Sequence, residues 1–159
     1  GRAPEYVAHV ISCYREAIDS LQSGTYQKEK VITWMQNLEK VYNRGFWNGY
    51  YLGQKLGEWS DGSGSHATQK KVYIGKGTHF FPKPQIGEFK IEAYDISIGD
   101  TILITGPTTG AKEIEVNDMM VNDEKLTKGT KGDLVTIPLG FRVRPSDKLY
   151  KIVENKVEA

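Results

Sequence analysis

The stretch that decides the fold is Val41-Tyr42-Asn43-Arg44-Gly45-Phe46-Trp47-Asn48-Gly49-Tyr50-Tyr51-Leu52-Gly53. It follows a helical pattern and precedes a chain whose pattern is that of strands. Each interior glycine costs a helix about 1 kcal/mol relative to alanine, so the three glycines predict a broken or irregular segment. Its aromatic residues are interpreted as core packing, because such side chains bury large areas. A recognition surface is the alternative. Taken with the rest of the chain, the stretch is best interpreted as a seam that joins the helical hairpin to the strand region or to another part of the protein.

Two amphipathic helices are predicted before this stretch. The first runs from Pro4 to Leu21 and the second roughly from Lys28 to Tyr42, each with apolar residues at steps of three and four. The stripe of the first helix consists of Val7, Val10, Ile11, Tyr14, Ile18 and Leu21. The short connection between them predicts an antiparallel hairpin, whose stripes must face each other or a third surface.

Beyond residue 70 the apolar period changes to two, which predicts strands. Phe89, Ile91 and Ala93 alternate with charged residues, and five further short strands are separated by turn residues. Three turns place Gly-Asp or Ser-Asp just before a strand, where Asp is expected to bond the backbone two residues on. Their spacing resembles the second-domain barrel of the elongation-factor-Tu class of translation factors, which is an analogy of fold alone.

The predicted fold class is therefore α+β, with an N-terminal helical hairpin followed by a small closed antiparallel β-barrel or a sandwich. Closure is favoured because it removes exposed strand edges. The predicted domain limits are 1–57 for the hairpin with the aromatic stretch, 58–69 for a flexible linker, 70–155 for the barrel and 156–159 for a tail.

The composition and the absence of known motifs exclude several classes of protein and of site. With 38% hydrophobic and 26% charged residues, the chain is that of an ordinary globular protein. It has no run of about 18 apolar residues and no secretory pattern, so no membrane span is predicted and the cytoplasm is the expected compartment. Cys13 cannot form an internal disulfide. Phosphate-binding loops and metalloprotease motifs are absent, so no catalytic residue, metal or cofactor is predicted within this chain.

The charges are banded along the strand region. Residues 69–90 and 125–151 are net basic, whereas residues 91–124 are net acidic. Basic bands with nearby aromatic residues predict a nucleic-acid surface, against the alternative that the charges only solvate the protein. The candidate binding or docking residues are Arg44, Phe46, Trp47, Tyr50, Lys70, Lys71, Lys76, His79, Arg142 and Arg144.

Several segments resemble the C-terminal part of the collagenase-like peptidase family U32. They are Pro4-Glu5-Tyr6-Val7-Ala8, Tyr14-Arg15-Glu16-Ala17-Ile18-Asp19, Val41-Tyr42-Asn43-Arg44-Gly45-Phe46 and Gly49-Tyr50-Tyr51-Leu52-Gly53, with weaker motifs in the strand region. The resemblance implies a longer protein whose N-terminal half is a TIM-type barrel, in keeping with a chain that begins at Gly1. Proteolysis, or iron–sulfur-dependent hydroxylation of RNA bases or quinone precursors, would then belong to that half and its cysteines.

Three hypotheses of function follow from the resemblance and the charge bands. The first is a noncatalytic accessory domain that positions structured RNA, such as tRNA or rRNA, for its own N-terminal catalytic barrel. The second is a structural domain that docks on that barrel and stabilises it. The third is a module of a protease that binds a collagen-like protein substrate.

Overall fold

The computed structural model of the chain describes residues 2–43, 45–46 and 65–155. The chain divides into two compact units, Gly1–Lys70 with Glu154–Ala159 and Lys71–Val153.

The predicted linker and tail lie largely outside the described residues. Of the linker 58–69, residues 58–64 are not among them, and neither is the tail 156–159. Gln69 already begins a strand. The limits of the two predicted domains remain predictions.

The first unit contains the two predicted helices, which are confirmed. Helix α1 spans Pro4–Gln22 and begins with proline, whose missing N–H is not needed in a first turn. Helix α2 spans Lys28–Lys40 and ends two residues earlier than predicted, because Val41 takes an extended conformation. Among the described residues, neither helix is long and apolar enough to span a bilayer.

Helix α1 buries small side chains and exposes its large ones. Cys13 and Ser20 are its buried residues, and the Cys13 thiol lies 3.8 Å from the carbonyl oxygen of Trp34, the buried residue of α2. Burial raises the pKa of the Cys13 thiol. Five of the six residues of the predicted apolar stripe are exposed, namely Val7, Ile11, Tyr14, Ile18 and Leu21. The stripe therefore faces away from the interior of the hairpin.

The second unit is built of antiparallel strands, most of them short. The sheet order is β5-β4-β9-β1-β2-β8-β6, and β3 pairs with β7 in a separate two-stranded ribbon. The strands are β1 Gln69–Phe81, β2 Ile86–Ile91, β3 Asp95–Ser97, β4 Thr101–Gly106, β5 Gly110–Glu115, β6 Met120–Val121, β7 Lys128–Thr130, β8 Leu134–Pro138 and β9 Lys148–Glu154.

The closed barrel predicted from the sequence is a wrong expectation. Among the described residues, the hydrogen-bonded order runs from β5 at one edge to β6 at the other, and no pairing joins these edges. Strand β6 has only two residues, and β3 and β7 pair with each other instead of completing the sheet. The exposed charges of Lys112, Glu113 and Glu115 on edge strand β5 discourage pairing with another chain.

One hydrophobic core fills the second unit. The predicted alternation of β2 is confirmed, since Phe89 and Ile91 are buried whereas Glu88 and Lys90 are not. Ile96 of the ribbon joins the same core as the sheet residues. The core cluster comprises Ile74, Phe80, Phe89, Ile91, Ile96, Ile102, Ile104, Val116, Met119, Val121, Val135, Ile137, Leu139, Val143 and Leu149.

The three Gly-Asp and Ser-Asp turns share one reciprocal pair of hydrogen bonds. The Thr130 amide donates to Asp133 Oδ2 at 2.7 Å, and the Asp133 amide donates to the Thr130 carbonyl at 3.0 Å. The same pair closes the turns Ser97–Asp100 and Arg144–Asp147. Each aspartate thus binds the amide three residues before it, rather than two residues on as predicted.

The residue before each turn aspartate lies at positive φ. This conformation suits glycine, and Gly132 has φ +101°. The third turn has Ser146 at that position, with φ +73°. We expect Ser146→Gly to raise the free energy of unfolding by about 0.5–1 kcal/mol, because positive φ costs a residue with a Cβ about 1–2 kcal/mol and the entropy of unfolded glycine offsets part of the gain.

Gly132→Ala is the matched reverse change, because a Cβ there has nothing within 4 Å and meets only the strain of positive φ. We expect it to lower the free energy of unfolding by about 1–2 kcal/mol. Urea unfolding of the two variants measures both effects. Equal stabilities of the wild type and both variants would show that these turns carry no conformational strain.

The pairing of β1 with β2 depends on a glycine. Gly75 lies opposite Ile91, and a Cβ at Gly75 would overlap the carbonyl oxygen of Lys90. We expect Gly75→Ala to lower the free energy of unfolding by about 3 kcal/mol, because backbone cannot yield as a side chain can. Gly140→Ala is the control, since a Cβ there meets nothing within 4 Å. Thermal unfolding measures both variants. Equal melting temperatures of Gly75→Ala and Gly140→Ala would contradict the close approach of Gly75 to the Lys90 carbonyl.

Candidate functional site

The predicted site residues fall on both units. Arg44, Trp47 and Tyr50 lie outside the described residues, and Phe46 is 46% exposed in the first unit. The remaining candidates are exposed on strand β1 or on the loop before β9, and they are Lys70, Lys71, Lys76, His79, Arg142 and Arg144. The structure therefore brings the basic candidates to β1 and its neighbourhood.

Two tyrosines on adjacent strands form the centre of the candidate site. Ile74 and Leu149 point into the core, so Tyr73 and Tyr150, next to them in sequence, point to the opposite face of the sheet. Their rings are 5.7 Å apart in an edge-to-face arrangement. The Lys71 ammonium lies 4.8 Å from the centroid of the Tyr150 ring, within the range of a cation–π contact.

A carboxylate completes this cluster. The Tyr73 hydroxyl donates to Glu92 Oε2 at 2.6 Å, and the Lys76 ammonium lies 2.8 Å from Glu92 Oε1. We call Lys71, Tyr73, Lys76, Glu92 and Tyr150 the tyrosine–lysine surface. Glu92 pairs with Lys76 and fixes the orientation of the Tyr73 ring. Of the two predicted candidates, Lys76 forms an ion pair with Glu92, and Lys71 lies over the Tyr150 ring.

The pKa shifts follow from these contacts. The hydrogen bond to Glu92, with a smaller contribution from burial, raises the pKa of Tyr73 to about 12. Hydrogen bonds from Lys76 and then Tyr73 lower the pKa of Glu92. At neutral pH the surface therefore holds a protonated tyrosine and an ionised carboxylate.

The other basic candidates lie in simpler surroundings. The His79 ring stacks edge to face on Phe81 at 4.6 Å between centroids, on the exposed side of β1. Arg142 and Arg144 are exposed on the loop before β9 and form no ion pair with any described residue. This loop is held against β1, because the Ser146 amide donates to the Gly77 carbonyl at 2.9 Å.

Elsewhere the basic and acidic bands neutralise one another. Lys128 lies 2.8 Å from Asp95, and Lys151 lies 2.7 Å from Asp100 and 3.4 Å from Asp95. The hydrogen bond from Lys128, and then that from Lys151, lowers the pKa of Asp95. The charges of Lys128 and Lys151 are thus balanced by carboxylates of the same unit. Among the described residues, no cluster of three or more His, Cys, Asp or Glu side chains could hold a metal ion.

The sequence pointed to only part of this surface. Tyr73, Tyr150 and Glu92 are not among the predicted site residues. Their proximity depends on which residues of β1, β2 and β9 lie side by side. The available signal was alternation, since Tyr150 and Glu92 directly follow residues of the core, Leu149 and Ile91.

Comparison with known proteins shows which family the chain is similar to. Residues 1–61 match the pattern described as Peptidase family U32. A protein named Collagenase from Porphyromonas gingivalis is 49% identical over 150 residues, which are 94% of this chain and 36% of that protein. The resemblance to peptidase family U32 is confirmed. A protein named an uncharacterized protease from Methanocaldococcus jannaschii is 35% identical over 159 residues, 97% of this chain and 39% of that protein.

The chain spans well under half the length of these two relatives. A solved structure, the C-terminal domain of a putative U32 peptidase from Geobacillus thermoleovorans, aligns with a TM-score of 0.47 at 16% identity. The alignment covers 52% of this chain and 92% of that domain.

The raised pKa of Tyr73 can be measured by the ultraviolet absorbance of tyrosinate, as the difference between the wild type and Tyr73→Phe. We expect Tyr73 to titrate near pH 12, and Glu92→Gln to lower its pKa toward the ordinary value of about 10, because the acceptor carboxylate loses its charge. Glu88→Gln is the control, since Glu88 accepts its hydrogen bond from Thr78 instead.

The same shift predicts a dependence of stability on pH. The folded pKa of Tyr73 lies above the unfolded value, so its contribution to the free energy of unfolding is complete below about pH 10 and is lost as the pH rises toward 12. The advantage of the wild type over Tyr73→Phe should shrink across this window. A stability difference between the wild type and Tyr73→Phe that stays constant from about pH 9 to about pH 12 would contradict the hydrogen bond to Glu92.

Proposed function

We propose that the chain is a noncatalytic accessory domain of a longer U32-family protein and that it positions structured RNA, such as tRNA, for the rest of that protein. The tyrosine–lysine surface is the observation on which this proposal rests. The relatives are more than twice as long as the matched region, which leaves room in them for a separate catalytic part.

The chemistry of the tyrosine–lysine surface suits single-stranded or unpaired RNA. Aromatic rings stack on exposed bases, and nearby lysines meet the phosphates. Tyr150 offers a partly exposed ring with the Lys71 ammonium above it. Lys70 on the same strand, and Arg142 and Arg144 on the adjoining loop, supply further positive charge. Binding would be modest, because Glu92 balances the charge of Lys76.

The catalytic step is assigned to the part of the longer protein that this chain does not include. The TIM-type barrel and an iron–sulfur cluster within it are implied by the family resemblance alone and stay predictions. No residue of this chain is given a catalytic role, and the docking role proposed for Arg44, Trp47 and Tyr50 also stays a prediction.

Binding of a protein substrate is the second candidate function. The Porphyromonas gingivalis relatives are named Collagenase, which favours a collagen-like protein over RNA as the macromolecule that is positioned. The outer face of the sheet also exposes apolar side chains on β1, β6 and β8, with Phe81 at 39%, Met120 at 41% and Leu134 at 38%. Such a surface can contact a polypeptide as well as a nucleic acid.

The test measures binding of a bulk tRNA mixture to the chain across a salt series. We expect affinity to fall with salt, and Lys71→Ala to weaken binding and to reduce the salt slope by about one ion. Tyr150→Ala should weaken binding roughly tenfold through lost stacking. Glu92→Gln should strengthen binding several-fold, because it removes the negative charge that pairs with Lys76.

Lys125→Ala is the matched control, since Lys125 pairs with Asp118 in the acidic band. It should leave the affinity for tRNA within twofold of the wild type. Because Lys71→Ala and Lys125→Ala remove the same charge, a loss of affinity in the Lys71 variant alone separates a specific surface from general charge. Denatured collagen is measured in parallel. Salt-insensitive binding to collagen, with no binding to tRNA at low salt, would replace the RNA hypothesis with the protein one.

A further inference from the structure

Helix α1 presents an apolar seam to the outside. Five residues recur at alternating steps of four and three, which is the heptad spacing of a helix that packs along another helix. They are Val7, Ile11, Tyr14, Ile18 and Leu21, and their exposed fractions are 44%, 60%, 64%, 48% and 62%. We call these five residues the α1 seam.

The hairpin does not use the seam for its own packing. The residues that α1 buries are small, Cys13 and Ser20, and they let α2 approach until the Cys13 thiol is 3.8 Å from the Trp34 carbonyl. A helix that packs its small residues inward and aligns its large apolar residues outward gains nothing from the outer stripe in water. We therefore expect the seam to pack against a part of the protein outside the hairpin.

The seam continues into a groove between the two helices. Tyr14 belongs to both, and the groove of about 570 Å³ is also lined by Tyr6, Met35, Leu38 and Phe46. Arg2 closes one side, with its guanidinium 3.7 Å from the centroid of the Tyr42 ring. An apolar strip beside a groove of mixed polar and apolar lining is a surface that can receive an amphipathic helix.

We infer that the α1 seam docks an apolar helix of the longer U32-family protein, in the part that this chain does not span. The inference rests on the proposed accessory role but not on the identity of the substrate. The relatives match 94–97% of this chain and extend well beyond it, so the region that corresponds to α1 lies in them beside further polypeptide.

Interface size favours this occupant over a second copy of the chain. The seam exposes on the order of 500 Å², below the about 800 Å² per partner that a stable interface between separate proteins buries. Two heptads are also short for a coiled coil that must form from separate chains. Within one polypeptide the partner is present at an effective concentration near the millimolar range, and a small apolar seam then suffices.

The test places two glutamates on the seam, as Ile11→Glu with Ile18→Glu. The control places the same charges on exposed positions of α1 outside the seam, as Ala8→Glu with Ser12→Glu. Each pair is made in the longer protein and in the 159-residue chain. Amide hydrogen exchange of α1 and the melting temperature are measured in all four proteins and in the two parents.

In the longer protein we expect the seam pair to speed exchange across α1 roughly tenfold or more and to lower the melting temperature, because a docked helix loses its protection. The control pair should do neither. In the 159-residue chain the two pairs should have equal and small effects, since all four side chains are exposed there.

Three outcomes would overturn the inference. The seam pair could leave exchange in the longer protein unchanged, which would mean that nothing docks there. It could destabilise the 159-residue chain as much as the longer protein, which would place the covering surface within the chain itself. Sedimentation could show a dimer of the 159-residue chain that the seam pair dissociates, which would make a second copy the occupant. None of these results bears on binding of tRNA, so the two proposals fail separately.

Discussion

The hydrogen bond from a turn amide to the aspartate three residues later is the constraint on which the strand region depends. The bond recurs where the chain enters β4, β8 and β9, at Asp100, Asp133 and Asp147. Asp147 is 2% exposed and also accepts from the Thr109 hydroxyl at 2.5 Å. Fixing where a strand begins fixes which of its residues point inward, because side chains alternate.

These turns determine which residues come together in the tyrosine–lysine surface. The Asp147 turn starts β9 so that Leu149 enters the core and Tyr150 emerges beside Tyr73. The Asp133 turn is bonded to the end of β2, since the Ile91 amide donates to the Asp133 carbonyl at 3.0 Å. A shift of one residue in either strand would turn Tyr150 or Glu92 to the other face and dissolve the cluster.

Local features of the fold could be predicted, whereas pairings between distant residues could not. The helices, the alternation of β2 and the positions of the three turns depend on neighbours within a few residues. The ribbon of β3 and β7, and the contact of Tyr73 with Tyr150, join residues far apart in sequence. The spacing of apolar residues predicts the stripe on α1, but it does not tell which face of the helix packs against the rest of the protein. The buried residues of α1 are Cys13 and Ser20, and the spacing of large apolar residues does not predict their burial.

The ion pairs decide what kind of binding the strand region can support. Counting charges along the sequence suggests broad basic bands, yet Lys128, Lys151 and Lys76 are each paired with a carboxylate. These three paired lysines contribute little to long-range attraction of a polyanion, because a carboxylate a few ångströms away cancels the field of each and salt screens what remains within about 8–10 Å. Under the proposed function, recognition by this unit then depends on short-range contacts, in which the partly exposed Tyr150 ring and the Lys71 ammonium act together. Such contacts discriminate unpaired bases from regular duplex, whose bases are stacked and closed to an aromatic ring.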